Sequence, residues 1–210
     1  MKYLGKPAGM WALFAGSFEK HLTVEFDLTA GQAKDVAARA KKKYREIIAK
    51  LPEFDKRDRF EMNIVNCAML AAFILCMPQR PDIETLTDYY AAAMMTPTMK
   101  AFCRASGKKK FTPKDIEGMK ATAKLRAGDR NPYSWNMDFF EYEDGSGYEA
   151  RFTTCGICTL MQALGLYDLT PALCHLDYTM SDAGGASDFV REYTLASGGP
   201  YCDCGYHKKQ

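Results

Sequence analysis

The sequence lacks any apolar run long enough to cross a bilayer. Its longest run covers residues 64–77, only 14 positions, and is interrupted by Asn66, whereas a membrane-spanning helix needs about 20 residues. The N-terminal region also lacks the continuous apolar segment of a signal peptide, because only residues 10–16 form a short one. We therefore expect a cytoplasmic protein that does not contact a membrane.

An excess of charge of either sign is also missing. The 28 Lys and Arg residues nearly balance the 26 Asp and Glu residues, which leaves a net charge of +2. A nucleic-acid binder needs a clear basic excess to neutralise phosphates, so we expect no nucleic-acid partner. A small molecule is the expected partner, and the sequence leaves the oligomeric state open. Repeats and low-complexity linkers are absent, while 47% apolar residues suffice for a sizeable core.

The first 130 residues follow helical patterns. The clearest helix covers residues 32–51, where apolar side chains recur on one side and the basic run 41–43 lies largely opposite, as on a solvated face. Further helices are predicted at residues 56–77, after Asp82, and after Thr112 and Pro113, which form a typical N-cap and first helical position.

From residue 134 onward the pattern changes from helix to strand. Residues 135–143 and 148–154 alternate around a turn at 144–147, helices are predicted at 156–164 and 170–180, and strands at 189–195 and 201–207. These patterns predict an α+β fold. An N-terminal helical part packs on a C-terminal, mainly antiparallel sheet of about four strands with two inserted helices. We expect a single domain over residues 1–210, with 1–130 mainly helical and 131–210 containing the sheet.

Eight cysteines are unusual for a chain without a secretion signal, and we expect free thiols, ligands or catalysts among them. Five lie within the last 56 residues: Cys155, Cys158, Cys174, Cys202 and Cys204. Cys155 ends a predicted strand and begins a predicted helix, where the positive helix end favours a thiolate.

The other members of this group are placed in pairs by their spacing. Cys174 and Asp177 lie three apart on a predicted helix and share a face. Cys202 and Cys204 lie two apart on a strand and share a side, while Asp203 faces the opposite side. A buried Asp177 would need a partner, because an unpaired buried charge is costly.

The order of these motifs resembles the L-2-amino-thiazoline-4-carboxylic acid hydrolase family over roughly the last third of the chain. The matching features are a Cys at a strand-to-helix turn, a Leu-Cys-x-x-Asp helix, an Arg-x-x-Thr-Leu-Ala-x-Gly segment and a Cys-Asp pair, carried here by Cys155, Leu173 to Asp177, Arg191 to Gly198, and Cys202 with Asp203. The resemblance implies a small cytosolic bacterial hydrolase that opens a cyclic, isothiourea-like ring to a carbamoyl-cysteine.

The resemblance also implies roles for the matching residues. Catalysis on a carbon–nitrogen bond of a small cyclic amidine-like acid would use Cys155, Cys174, Asp177 and Cys202. A thiolate of Cys155 or Cys174 would attack while Asp177 exchanges protons, and the choice between the two cysteines stays open. The substrate carboxylate or an oxyanion would be held by Arg191 with Thr194 or with the backbone amides around Gly198 and Gly199, and Asp203 is a further substrate-binding candidate.

Three residues depart from the family pattern and keep other functions open. Gly156 replaces a Pro, Cys158 replaces an apolar residue and Cys204 replaces an aromatic one. Cys155, Cys174, Asp177 and Cys202 would also make a tetrahedral zinc site, so the alternative is a non-catalytic, sensor-like domain that binds zinc or a small molecule. A redox role for the Cys155-x-x-Cys158 pair is a third hypothesis, and simple packing of the thiols behind the sheet is the ordinary alternative.

Overall fold

A computed structural model describes residues 7–209 of the chain, and its fold is α+β, as predicted. The helices are α1 Pro7–Glu25, α2 Ala30–Lys50, α3 Glu61–Ile74, α4 Ile83–Met94, α5 Pro97–Gly107, α6 Pro113–Arg126, α7 Gly156–Ala163, α8 Thr170–Cys174 and α9 Leu176–Gly184. The strands are β1 Asp138–Glu141, β2 Gly147–Phe152, β3 Ser187–Val190 and β4 Cys202–Lys208. Among residues 7–209, no helix combines the length and hydrophobicity that crossing a bilayer requires.

The helical part is built around α3, whose side chains are buried almost all round. α2 packs against it with an apolar stripe that includes Val36, Ala40, Tyr44 and Ile47, as the helical spacing predicted. Burial of such a face, more than helix propensity, stabilises a helix of this kind. The same core continues through α7 and α8, so the helices also form the support of the cysteine-containing segment.

Helix starts follow the caps that the sequence predicts. The Asp82 carboxylate accepts a hydrogen bond from the Thr85 backbone at 2.9 Å, and the Thr112 hydroxyl accepts one from Asp115 at 3.3 Å. The predicted helix at 56–77 was wrong at its start, since α3 begins at Glu61. There the Asp58 carboxylate accepts from the Phe60 backbone at 2.9 Å, which holds residues 58–60 in a turn.

A buried arginine connects the helical part to the chain entering the sheet. The Arg126 guanidinium lies 3.3 Å from the Asp58 carboxylate and donates to the Trp135 carbonyl at 3.1 Å and to the Ser134 hydroxyl at 2.9 Å. Its side chain is 2% exposed. Because a buried charge must be paired, these contacts fix residues 134–135 and with them the Trp135 side chain.

The four strands form one antiparallel sheet in the order β1-β2-β4-β3. Residues directly opposite each other on β2 and β4 include Ala150 with Cys204 and Phe152 with Cys202. These four side chains cluster with Phe189 on the inner face of the sheet, which packs against the helices. The inner face therefore includes both cysteines of β4, as their spacing of two predicted.

Two predicted elements around the sheet were partly wrong. The strand predicted at 189–195 ends at Val190, because the Asp203 carboxylate accepts hydrogen bonds from the backbone of Glu192 and Tyr193 at 3.0 and 2.6 Å and holds this segment in a loop. The helix predicted at 170–180 is divided into α8 and α9 at His175, and α9 continues to Gly184.

Candidate active site

Cys155 is the N-cap residue of α7, directly after the segment that follows β2. Its pKa is lowered, first by a hydrogen bond with the Cys158 thiol and then by the backbone N–H groups of Cys158 and Ile157 and the Trp135 side chain. These donors outweigh the opposing effect of burial. The lowered pKa favours a thiolate at this strand-to-helix position.

The pKa values of the remaining cysteines are shifted in the opposite direction. All eight lie in the part of the chain that the structure describes, and Cys155 alone among them has a lowered pKa; the pKa of each other thiol is raised. Burial raises the pKa of Cys174 to about 12. The pKa of Cys158 is raised mainly by its hydrogen bond with Cys155, because the Cys158 thiol donates its proton to the Cys155 sulfur. The two cysteines that the sequence left open therefore differ in the direction of their pKa shift, which is downward for Cys155 and upward for Cys174.

The structure brings the predicted catalytic residues into one neighbourhood. The negative charges of Cys155, Asp177 and Cys202 all act to raise the pKa of Cys174, after burial as the main cause. The Cys202 sulfur accepts a hydrogen bond from the Leu195 backbone at 3.2 Å, so it also ties the loop after β3 to β4. The helices that include or begin next to Cys155, Cys174 and Asp177 also pack together, since α7 contacts α8 and α8 contacts α9.

Asp177 forms a salt bridge with the buried Arg191. The Arg191 guanidinium donates to the Asp177 carboxylate at 2.8 Å and to the Cys174 carbonyl at 2.7 Å. The Arg191 side chain is 6% exposed and that of Asp177 is 46% exposed. Desolvation raises the pKa of Asp177, although Arg191 opposes this shift. Arg191 therefore lies behind the carboxylate as its support, and Asp177 presents its open side outward.

The other predicted substrate-binding residues lie in a compact turn. The Thr194 hydroxyl accepts from the Ser197 backbone at 3.1 Å, and the Thr194 carbonyl accepts from the Gly199 backbone at 2.8 Å. Gly198 has a φ of +82°, a conformation that favours glycine. Asp203 lies on the opposite side of β4 from Cys202 and holds the loop at 192–193. The contacts of these residues hold the backbone of the turn and of the loop after β3.

A metal centre is not formed by the predicted zinc ligands. Within residues 7–209, no three side chains of His, Cys, Asp or Glu approach one another closely enough to hold a metal ion. Cys155, Cys174, Asp177 and Cys202 therefore do not form a preorganised tetrahedral set. Cys155 instead forms a hydrogen bond with the Cys158 thiol.

Asp177 also lines a cavity of about 310 Å³ between the inner face of the sheet and helices α5, α6 and α9. Its walls are largely apolar, with Phe60, Met119 and Met137 among them. The sequence analysis missed this cavity and its charged residues, which are Arg59, Lys110 and Asp115 in addition to Asp177. The only signal was the three-lysine run at 108–110, in which the spacing does not distinguish one lysine from the next.

The pattern of the sequence is matched by one known family. A model of the L-2-amino-thiazoline-4-carboxylic acid hydrolase family matches residues 62–206. The chain belongs to this family. The match reaches back through α3 to α6, well beyond the last third of the chain that carried the resemblance. Searches of curated proteins and of solved structures found no match for the chain.

Two of the departures from the pattern of the L-2-amino-thiazoline-4-carboxylic acid hydrolase family have a structural explanation. A Cβ atom at Gly156 would lie 2.1 Å from the Tyr133 carbonyl oxygen, so this chain has no room for Pro at that position. The Cys158 thiol, which replaces an apolar side chain, hydrogen-bonds to Cys155 and lowers its pKa. Both departures therefore act on the immediate surroundings of the Cys155 sulfur.

Proposed function

We propose that this protein hydrolyses a small cyclic amidine-like acid, such as 2-amino-thiazoline-4-carboxylate, with the Cys155 thiolate as nucleophile. The observation that carries the proposal is the contrast between Cys155 and the seven other cysteines, since its pKa is lowered while the pKa of each of the others is raised. The family to which the chain belongs supplies the substrate class through its name. A thiolate at a helix N-terminus is a typical arrangement for nucleophilic catalysis.

The first step is ring opening. The Cys155 thiolate adds to the carbon of the ring C=N bond, and the bond between that carbon and the ring sulfur breaks. The departing sulfur takes a proton from Asp177, which acts as the general acid of this step. The product of the step is a covalent isothiourea on Cys155 that carries the opened chain and its new thiol.

The second step releases the product and restores the site. Water adds to the carbon attached to Cys155, one of its protons returns to Asp177, and the other goes to the former ring nitrogen. The bond from the carbon to the Cys155 sulfur breaks, which leaves the thiolate and a carbamoyl-cysteine. The Cys158 thiol and the first N–H groups of α7 stabilise this sulfur whenever it carries negative charge.

The proposal is tested by measuring thiol release from 2-amino-thiazoline-4-carboxylate with purified variants. We expect turnover by the wild-type protein, loss of at least about a thousandfold in Cys155→Ser, and a smaller loss in Asp177→Asn. Cys76→Ser is the matched control, because Cys76 is a buried thiol near the end of α3 and outside the Cys155 neighbourhood. Turnover that survives in Cys155→Ser would refute the nucleophile.

The zinc-binding alternative is addressed on the same samples. Elemental analysis before and after dialysis against a chelator measures the metal content, and the activity of the dialysed protein is then compared with that of the starting material. We expect activity to be independent of the chelator. About one zinc per chain, with activity lost on its removal, would overturn a metal-free thiolate mechanism.

A further inference from the structure

The cavity that Asp177 lines contains two positive side chains without a negative partner. Among the residues that the structure describes, the Lys110 ammonium has no hydrogen bond and no carboxylate within 4 Å. The Arg59 guanidinium donates to the Thr122 hydroxyl at 3.3 Å and to the Met119 sulfur at 3.9 Å, which are both neutral, and Arg59 is exposed to water. The half-buried Lys110 ammonium therefore needs an acceptor, because it has three N–H bonds to satisfy.

The two carboxylates of the cavity are already engaged. Asp115 accepts from the Phe111 backbone at 2.9 Å and from the Tyr148 hydroxyl at 3.2 Å. Asp177 accepts from Arg191 at 2.8 Å. Asp115 receives its hydrogen bonds from neutral donors, so its charge offsets one of the two cations, while the charge of Asp177 is offset by Arg191. One positive charge remains, and an anion is the ligand that would balance it.

The residue after Lys110 has a strained backbone. Phe111 has a φ of +63°, which is rare for a bulky side chain. In this conformation the Lys110 ammonium lies 3.2 Å from the centre of the Tyr206 ring, on the inner face of the sheet. The ring attracts the cation but offers its N–H groups no strong acceptor, so the ammonium remains ready for a ligand.

We propose that this cavity binds a small cyclic carboxylic acid, with the ligand carboxylate on Lys110 and the ring against the apolar wall. Arg59 lies at the same cavity and adds positive charge, while Met119 and Met137 provide apolar surface. The volume of about 310 Å³ suits a ligand of this size. Lys110 then takes the role of carboxylate anchor that the sequence analysis gave to Arg191.

Of the proposed catalytic residues, Asp177 lines the cavity and Cys155 does not. The proposal therefore rests on the proposed function in one respect, that the bound acid is also the substrate of the hydrolysis. Binding itself is tested without turnover, by using L-thiazolidine-4-carboxylate as the probe. This acid has the ring and the carboxylate but no C=N carbon for a thiolate to attack. L-Thiazolidine-4-carboxamide, which has no negative charge, is the matched control ligand.

Calorimetric titrations compare the wild-type protein with Lys110→Met and with Lys109→Met, a neighbouring exposed lysine of the same run. We expect the acid to bind the wild type and Lys109→Met equally and Lys110→Met at least about tenfold more weakly, while the carboxamide distinguishes none of them. Equal affinity of the acid for both variants, or no binding of the acid to the wild type at millimolar concentration, would overturn the proposal.

A competition assay separates this proposal from the proposed function. If the acid inhibits hydrolysis of 2-amino-thiazoline-4-carboxylate, with Lys110→Met raising KM and the inhibition constant together, the cavity is the substrate site. Lys110-dependent binding without inhibition would overturn the assignment of the cavity to the substrate. Lys110-dependent binding by a protein that shows no hydrolysis would instead remove the proposed function and support acid binding alone.

Discussion

The Cys158 thiol hydrogen-bonds to the Cys155 sulfur across the first turn of α7. The contact moves the two pKa values in opposite directions, because the proton that stabilises one sulfur as a thiolate is held more tightly by the other. A pair of cysteines three apart thus acts as one unit, with Cys155 as the reactive member and Cys158 as the donor.

Replacing Cys158 by Ala should raise the pKa of Cys155 toward that of an ordinary thiol. The loss of one charge-assisted hydrogen bond predicts about tenfold slower alkylation of Cys155 at neutral pH. Thiolate absorbance in the ultraviolet, followed against pH, checks this directly. Cys158→Ser keeps a donor at the same position and should restore most of the shift; an unchanged titration in Cys158→Ala would contradict this role.

Breaking the pair of Arg191 and Asp177 should destabilise the fold. We expect Arg191→Met to lower the free energy of unfolding by about 2 kcal/mol, less than the loss for a fully buried pair, because Asp177 is 46% exposed and water replaces part of the contact. Urea denaturation of Arg191→Met, Asp177→Asn and the double variant measures the coupling. Strictly additive losses would show that the contact contributes nothing.

The absence of a Cβ atom at residue 156 should be essential to the turn before α7. Gly156→Ala places a methyl group against the Tyr133 carbonyl and should cost about 1–3 kcal/mol. Gly118→Ala is the matched control, since nothing lies within 4 Å of the added atom and Ala in a helix interior should stabilise by about 0.5–1 kcal/mol. Thermal unfolding measures the stability of both variants. A shift of the melting temperature in the same direction for both would contradict the prediction.

Affinity for L-thiazolidine-4-carboxylate should fall at alkaline pH. Burial lowers the pKa of Lys110 to about 8, so the ammonium loses its proton above that value and the carboxylate loses its partner. The facing groups are Asp115, Asp177, Tyr148 and Tyr206; the tyrosines have raised pKa values and stay neutral across this window. Calorimetry from pH 6.5 to 9.5 should show affinity level below about 8 and about tenfold weaker per unit above it. Affinity that is level to pH 9.5 would contradict the anchor.

Local chemistry made much of the fold predictable from the sequence. The caps at Asp82 and Thr112 and the spacing of Cys202 and Cys204 are decided by neighbours along the chain, and the structure has them as predicted. The end of β3 was not predictable in this way. It depends on the Asp203 carboxylate, which reaches the backbone of the loop after β3 from a different strand.

Some features of the candidate site could likewise be predicted from the local sequence, and others could not. Cys155 follows from its position between a strand and a helix, whereas the choice between Cys155 and Cys174 needs the donors around each sulfur. Lys110 differs from Lys109 only through the positive φ of Phe111 and the ring of Tyr206, which lies 96 residues further along the chain. Such contacts are set by tertiary packing, and spacing in the sequence does not encode them.

The most direct test of the central claim is the rate at which iodoacetamide labels each of the eight cysteines, mapped by mass spectrometry from pH 5 to 9. We expect Cys155 to be modified first, about tenfold faster than any other cysteine at neutral pH, with an inflection at a lower pH than that of an ordinary thiol. Prior labelling of Cys155 should also abolish hydrolysis of 2-amino-thiazoline-4-carboxylate. Faster labelling of Cys174 or Cys158, or activity that survives complete labelling of Cys155, would contradict the account.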